Sequence, residues 1–170
     1  QKQTAARTFD VLDEIPPLAG PSRAARALHD VSVSAVHGTL RLVTRALVRT
    51  TLSRYAAVEP RAWRFTTGEH GRPDLAPGQC DVPLVFNLSH TDGLIACAVS
   101  RGREVGVDVE FLERRGGDLD VADRFFSPSE VRALYAQPSV RRRERFLSYW
   151  TLKESYIKAR GMGLRLPLDT

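Results

Sequence analysis

The spacing of apolar positions changes along the chain, and each change predicts a different element. Between His29 and Tyr55 there is no proline, and Val33, Val36, Leu40, Val43, Leu47 and Leu52 recur at the spacing of one long helix or of two shorter ones. Ahead of it, Pro16-Pro17 and Gly20-Pro21 break the chain to about Pro21 into extended segments and turns. Alternation of period two then appears from Ala62 to Phe65, followed by a turn around Gly68, Gly71 and Pro73. Two apolar runs, "PLVFNLSH" and "GLIACAVS", flank Thr91-Asp92-Gly93, and Asp-Gly between such runs is a strong hairpin signal. A third run, "REVGVDVEFL", follows the short Ser100 to Gly102 connection and is expected beside the hairpin in one sheet.

Past Gly116-Gly117 the pattern turns helical. Ser127 is placed as an N-cap, Pro128 as the first helical residue and Glu130 as the partner that closes a capping box. A further helix is expected over about Val140 to Arg160, ended by Gly161 and Gly163, which turn the chain toward a strand begun in "LRLPLDT". Helix followed by strands therefore occurs twice, which suits two related halves, residues 1–101 and 102–170.

Composition narrows the class. With 42% hydrophobic and 26% charged residues over 170 positions, the chain can bury a core and is too apolar to be disordered. Its longest apolar runs, such as Leu94 to Val99, are far shorter than a membrane span, and no charged-then-apolar leader opens it, so a cytoplasmic protein without a membrane partner is expected. The start at Gln1 and the stop within "LPLDT" point to a chain incomplete at one or both ends. Cys80 and Cys97 have no metal-ligand spacing to any histidine and read as reduced thiols, Cys97 as core filler. A net charge of +5 favours an anionic partner: nucleic acid, a phosphorylated small molecule or an acidic protein. The run Arg141-Arg142-Arg143 has no interleaved aromatic residues and reads as a solvated helix face, so no nucleic-acid partner is expected.

Three groups of residues can carry chemistry. Asp108 and Glu110 stand two apart on a strand and share one face, with Val107 and Val109 on the other. Paired carboxylates repel unless water or a cation compensates them, and an all-oxygen set suits Mg²⁺; the spacing alone favours an edge strand that is apolar inside and acidic outside. Among the 25 Lys and Arg residues only Lys2, Lys153 and Lys158 are lysine, and two of these bracket Glu154. Glu154 and Lys158 form an i,i+4 pair on a stripe flanked by Leu147 and Trp150, whereas Lys153 lies about 100° round the helix and points elsewhere. Against the core such charge is costly, and a lysine there can meet phosphate as a point charge. Ser89 and His90 face opposite sides of a strand and lack a Gly-x-Ser-x-Gly setting, which argues against a serine hydrolase and leaves a strand-end pair or a phosphate contact. His29, His37 and His70 read as structural or surface residues.

The order "FNLSH", "VGVDVE", "RFFSPSE", "WTLKESYIKARGMGL" resembles the Sfp-type 4'-phosphopantetheinyl transferases, whose Gly-x-Asp-x-Glu strand is matched by Gly106, Asp108 and Glu110. Their Trp-x-x-Lys-Glu-Ser-x-x-Lys helix is matched by Trp150, Lys153, Glu154, Ser155 and Lys158. The resemblance implies transfer of the phosphopantetheine arm of coenzyme A to a serine of an apo acyl or peptidyl carrier protein, with release of adenosine 3',5'-bisphosphate. It implies an α+β fold of two similar halves about a pseudo-twofold axis, complete as a monomer, with the site between them. It further implies Mg²⁺ on Asp108, Glu110 and Glu154, Glu154 as general base directly or through a water on the metal, and Lys158 as the cation for the transferring or leaving phosphate, so that Asp108, Glu154 and Lys158 are the catalytic set. Coenzyme A anchors are implied at Arg72, where many relatives carry lysine, at Ser89 and His90, and at Arg23 and Arg26. Two other readings stay open: a different Mg²⁺-dependent phosphoryl-transfer enzyme, and a basic nucleic-acid-binding domain.

Overall fold

In a computed structural model, residues 4–9, 30–35, 40–68, 71–112, 119–162 and 168–169 are described. Arg23, Arg26 and most of the "LRLPLDT" strand lie outside them. The elements are β1 (Thr4–Phe9), β2 (Asp30–Ala35), α1 (Leu40–Leu52), β3 (Phe65–Thr67), β4 (Pro73–Leu75), β5 (Leu84–Thr91), β6 (Leu94–Arg101), β7 (Gly106–Phe111), α2 (Leu119–Phe125), α3 (Pro128–Tyr135) and α4 (Ser139–Arg160). Helices thus accompany small antiparallel sheets in an α+β fold.

The strongest local signal is realised as expected. β5 and β6 form a hairpin in which Thr91 pairs with Leu94, and Gly93 takes a φ of 74° in the two-residue loop, a conformation that glycine reaches without steric cost. β2 adds to the other edge of β6, giving the order β2-β6-β5. The first helix is shorter than its spacing suggests: it begins at Leu40, and the residues expected to open it form β2. The segment "DVSVSA" also alternates with period two, and pairing of Val31 with Ala98 and Val33 with Ala96 makes that pattern the one used.

β6 is buried on both faces and divides the interior. Cys97 and Val99 join Val48 and Leu52 of α1, Trp63 and Phe86 in one cluster, with Trp63 anchored by a 2.9 Å hydrogen bond from its indole N–H to Ser53 Oγ. Ala96 and Ala98 meet Val105, Val107 and Val109 in a second. The third strand therefore does not continue the hairpin's sheet; β7 leaves it, pairs with β1 and packs against the alanine face of β6. Only methyl-sized side chains on that face leave room for a second strand layer. The edge-strand reading of Asp-x-Glu also fails, because Val107, Asp108 and Val109 are all buried.

The C-terminal helices pack round an aromatic cluster in which Phe126 lies 5.2 Å from Phe146 and 5.7 Å from Tyr149, ring centre to ring centre. α3 begins as predicted: Ser127 Oγ accepts from Glu130 N, and Glu130 Oε2 accepts from Ser127 N at 2.7 Å. α4 runs unbroken for 22 residues to Gly161, whose φ of 65° lets its N–H bond Ile157 O at 2.9 Å. Its arginine run is more than a solvated face. Arg142 donates to the Tyr135 and Gln137 carbonyls and Arg143 to the Leu112 carbonyl, while Arg141 stays exposed.

α4 lies on β7 with backbone against backbone. A Cβ placed on Gly106 would stand 1.9 Å from Ser155 O and 2.5 Å from Ala159 N. Gly106→Ala should therefore push strand and helix apart and cost about 3 kcal/mol or more, read as a lower thermal midpoint; an unchanged midpoint would show that the two backbones do not meet there.

Candidate active site

Three elements, β5, β7 and α4, converge where β7 runs beneath the last two turns of α4. β7 presents Asp108, a side chain only 7% exposed. Its Oδ1 accepts from Lys158 Nζ at 2.6 Å and from Ser89 Oγ at 2.9 Å. Lys158 Nζ also donates to Ser89 Oγ at 3.0 Å. The three side chains form a closed triangle from β5, β7 and α4. Among the described residues two of the three ammonium protons are thus used, and with 28% of the side chain exposed the lysine still reaches solvent.

β5 is tied to β7 by side chains rather than by strand pairing. Asn87 Oδ1 accepts from Val107 N at 3.0 Å, and Ser89 Oγ accepts from Val109 N at 3.3 Å. Backbone N–H groups buried without a sheet partner are costly, so these two polar side chains, spaced two apart, stand in for a strand. Asn87 drew no functional reading from the sequence. The available signal was its period-two relation to Ser89 in an otherwise apolar run, since a buried asparagine needs partners.

Glu154 sits one turn before Lys158 on α4 and is partly buried. Its carboxyl is held above the ordinary carboxylate range, chiefly by burial and then by the charge of Asp108; Lys158 pulls the other way, and Glu110 adds to the rise. The three carboxylates expected from the sequence to act together therefore sense one another. Among the described residues, no three His, Cys, Asp or Glu side chains are gathered closely enough to hold a metal ion as they stand. Asp108 Oδ2 is nonetheless buried and has no hydrogen-bond partner among the described residues. An orphaned carboxylate oxygen with acidic neighbours fits a hard, oxygen-seeking cation.

The remaining sequence candidates divide. Arg72 reaches the site by an unforeseen route: Nη1 donates to the Lys158 carbonyl at 3.2 Å, while Nη2 lies 3.1 Å from Glu104 Oε2 and Nε 3.4 Å from Asp74 Oδ1. It joins the β3–β4 turn to the C-terminal end of α4, where the macrodipole favours a cation. His90 is exposed and, by alternation along β5, faces away from Ser89. Trp150 packs on Phe125 and Phe146 and does not enter the triangle. Lys153 turns to α3, 2.8 Å from Glu130 Oε2. Beside β5, a cleft of about 470 Å³ is lined by Thr44, Arg45, Arg49, Phe65, Pro73 and Phe86 among others.

Comparison with known proteins follows this geometry. A family model described as "4'-phosphopantetheinyl transferase superfamily" matches residues 104–170, the part that carries β7 and α2 to α4. A 4'-phosphopantetheinyl transferase of Nostoc sp., HetI, is 40% identical over 121 residues, which cover 71% of this chain and 51% of the relative. The 4'-phosphopantetheinyl transferase Sfp of Bacillus subtilis is 35% identical over 130 residues, 76% of this chain and 55% of the relative. The chain thus spans about half the length of these relatives.

The raised Glu154 carboxyl has a consequence for stability. Its proton is held more tightly in the folded than in the unfolded chain, so folding loses stability as pH rises from about 4.5 through the raised value. With chelator present, Glu154→Gln should remove that loss and melt higher than the wild type near neutral pH, with the difference fading in acid. Equal melting of the two at both pH values would show that the Glu154 carboxylate is not disfavoured by its setting.

Proposed function

Because the chain belongs to the 4'-phosphopantetheinyl transferase superfamily, we propose that it moves the phosphopantetheine arm of coenzyme A onto a serine of an apo acyl or peptidyl carrier protein, releasing adenosine 3',5'-bisphosphate. The observation that carries this reading is the buried Asp108–Lys158–Ser89 triangle, with one aspartate oxygen unpartnered and Glu154 beside it. Such a cluster suits a reaction whose difficulty is charge on phosphate rather than cleavage of carbon bonds.

In this reading the carrier serine loses its hydroxyl proton to Glu154, a carboxylate made a better base by its depleted acidity. The serine oxygen then bonds to the phosphorus that bears the pantetheine. The bond from that phosphorus to the bridging oxygen breaks, and its electrons leave on the 5'-phosphate of the adenosine bisphosphate. Lys158, fixed by Asp108 and Ser89, places its ammonium against the oxygens that gain charge. Asp108, Glu110 and Glu154 are the residues that would hold Mg²⁺, and the bound ion would supply charge neutralisation on the pyrophosphate.

Coenzyme A is assigned to the side of α4 where Arg72 lies, with Ser89 and His90 as the further anchors first expected, and Arg23 and Arg26 are carried as anchors from the resemblance alone. For Arg72 to take a phosphate it must exchange Glu104 and Asp74, whose side chains are 65% and 47% exposed, and such solvent-screened pairs are weak. The surplus of positive charge on the chain suits an acidic carrier. A monomer working in the cytoplasm accords with this reading, and no helix among the described residues is long and apolar enough to cross a membrane.

Incubation with coenzyme A, Mg²⁺ and a panel of apo carrier proteins should add one phosphopantetheine mass to at least one carrier, and coenzyme A should raise the thermal midpoint. No transfer across the panel would overturn the assignment; Mg²⁺-dependent chemistry without a shift by coenzyme A would favour a different phosphoryl-transfer enzyme. Asp108→Ala and Glu154→Ala should each lower kcat about 100-fold or more, and full activity in either would remove that residue from the catalytic set.

A further inference from the structure

The helical wheel that joins Glu154 to Lys158 sends Lys153 to another neighbour. Its side chain is 13% exposed, and its ammonium lies 2.8 Å from Glu130 Oε2 and 5.6 Å from the centre of the Phe126 ring, and it donates to the Leu168 carbonyl. Glu130 is itself committed: the same Oε2 accepts from Ser127 N in the capping box that starts α3. One ammonium therefore gathers the end of the α2 segment, the cap of α3 and the returning chain at Leu168 onto one face of α4.

Resting on the transferase reading, we propose that Lys153 is a positioning residue, which locks the rotation of α4 through Glu130, Phe126 and Leu168 and thereby aims Glu154 at Asp108. The lever is geometric. Adjacent residues on a helix are about 100° apart, so fixing one side chain against a neighbour fixes the direction of the next. A carboxylate about 5 Å from a helix axis moves about 1 Å for each 10° of rotation, and displacement of a reacting group by about 1 Å can cost 100-fold in rate. β7 contacts α4 at Gly106 through backbone, which sets the distance between them, and the Lys158–Asp108 ion pair ties the helix to the strand on that side. The Lys153 contacts lie round the helix from that seam and add a second tie, so that rotation is held from two sides. The two lysines of the motif then divide the work, Lys158 on phosphate and Lys153 on the frame.

The test uses the full chain with coenzyme A, Mg²⁺ and an apo carrier, comparing wild type with Lys153→Met, Lys153→Arg, Glu130→Gln and the Met/Gln double variant. Lys153→Met should lower kcat at least tenfold with KM for coenzyme A within about twofold of wild type, while the thermal shift produced by coenzyme A persists. Lys153→Arg, which keeps a cation able to bridge Glu130 and Leu168, should recover most of kcat. The double variant should be no slower than the slower single one, because both substitutions cut the same tie. An unchanged kcat in a folded Lys153→Met, a raised KM with kcat intact, or additive losses in the double variant would each overturn the proposal. Should Lys153→Met fail to fold, Glu130→Gln, which keeps a neutral acceptor at the cap, decides by the same kcat and KM criteria. A wild type that transfers to no carrier and shows no shift with coenzyme A would overturn the transferase reading itself, an outcome distinct from an active wild type with an equally active Lys153→Met.

Discussion

β7 and α4 approach so closely at Gly106 that no methyl group fits between them, and the site inherits its dimensions from that contact. The helix residues in the seam are Ser155 and Ala159, each one position beyond Glu154 and Lys158. Ser155 is fully buried, and its hydroxyl turns back to the Thr151 carbonyl at 2.7 Å, so it brings no unmet polar demand into the seam. Small residues thus form the floor on which a carboxylate from a strand and an ammonium from a helix meet at hydrogen-bond distance. The glycine, serine and second lysine of the motifs are one packing solution written on two distant stretches of chain.

That solution concentrates charge where the fold gains little from it. Asp108 is buried, one of its oxygens lacks a partner among the described residues, and Glu154 is held above its usual range by burial and by acidic neighbours. Buried charge is tolerated when paired, and Lys158 pairs with Asp108 alone among the three carboxylates. A scaffold selected only for stability would place an apolar residue at Asp108, between two buried valines. Strongly perturbed carboxyls inside a well-packed seam are a feature that functional sites share more often than structural ones do.

How much of this was legible in the sequence depends on how far each feature reaches along the chain. The Asp92-Gly93 loop, the Ser127 cap and the Gly161 stop rest on backbone preferences spanning two to four residues, and each was readable from those residues alone. The start of α1 was not, because "DVSVSA" fits two periods and only pairing with β6 selects between them. Nor was the departure of β7 from the hairpin sheet, decided by alanines on one face of β6 and by Asn87 and Ser89 standing in for a strand. In the site, Asp108, Glu154 and Lys158 were candidates by residue type and spacing and took their roles from the resemblance alone, and the structure sets Lys158 on Asp108. The partner of Lys153 was hidden, since helical angles said where it does not point and nothing local named Glu130.

The contacts that assemble the site are all long in sequence. Asp108 lies 50 residues from Lys158, Ser89 lies 69 from it, and Arg72 lies 86 from the Lys158 carbonyl. The β5–β6 hairpin, by contrast, closes over two residues. Loop closure must be completed before distant contacts reward it, so local elements form early and the seam between β7 and α4 closes late. On a ribosome, the hairpin and the first core can form while α4 is still unmade, and the carboxylates of β7 wait without their ammonium until α4 emerges. The carboxyls of the site are thereby brought together only once the strands and core that hold β7 are already in place.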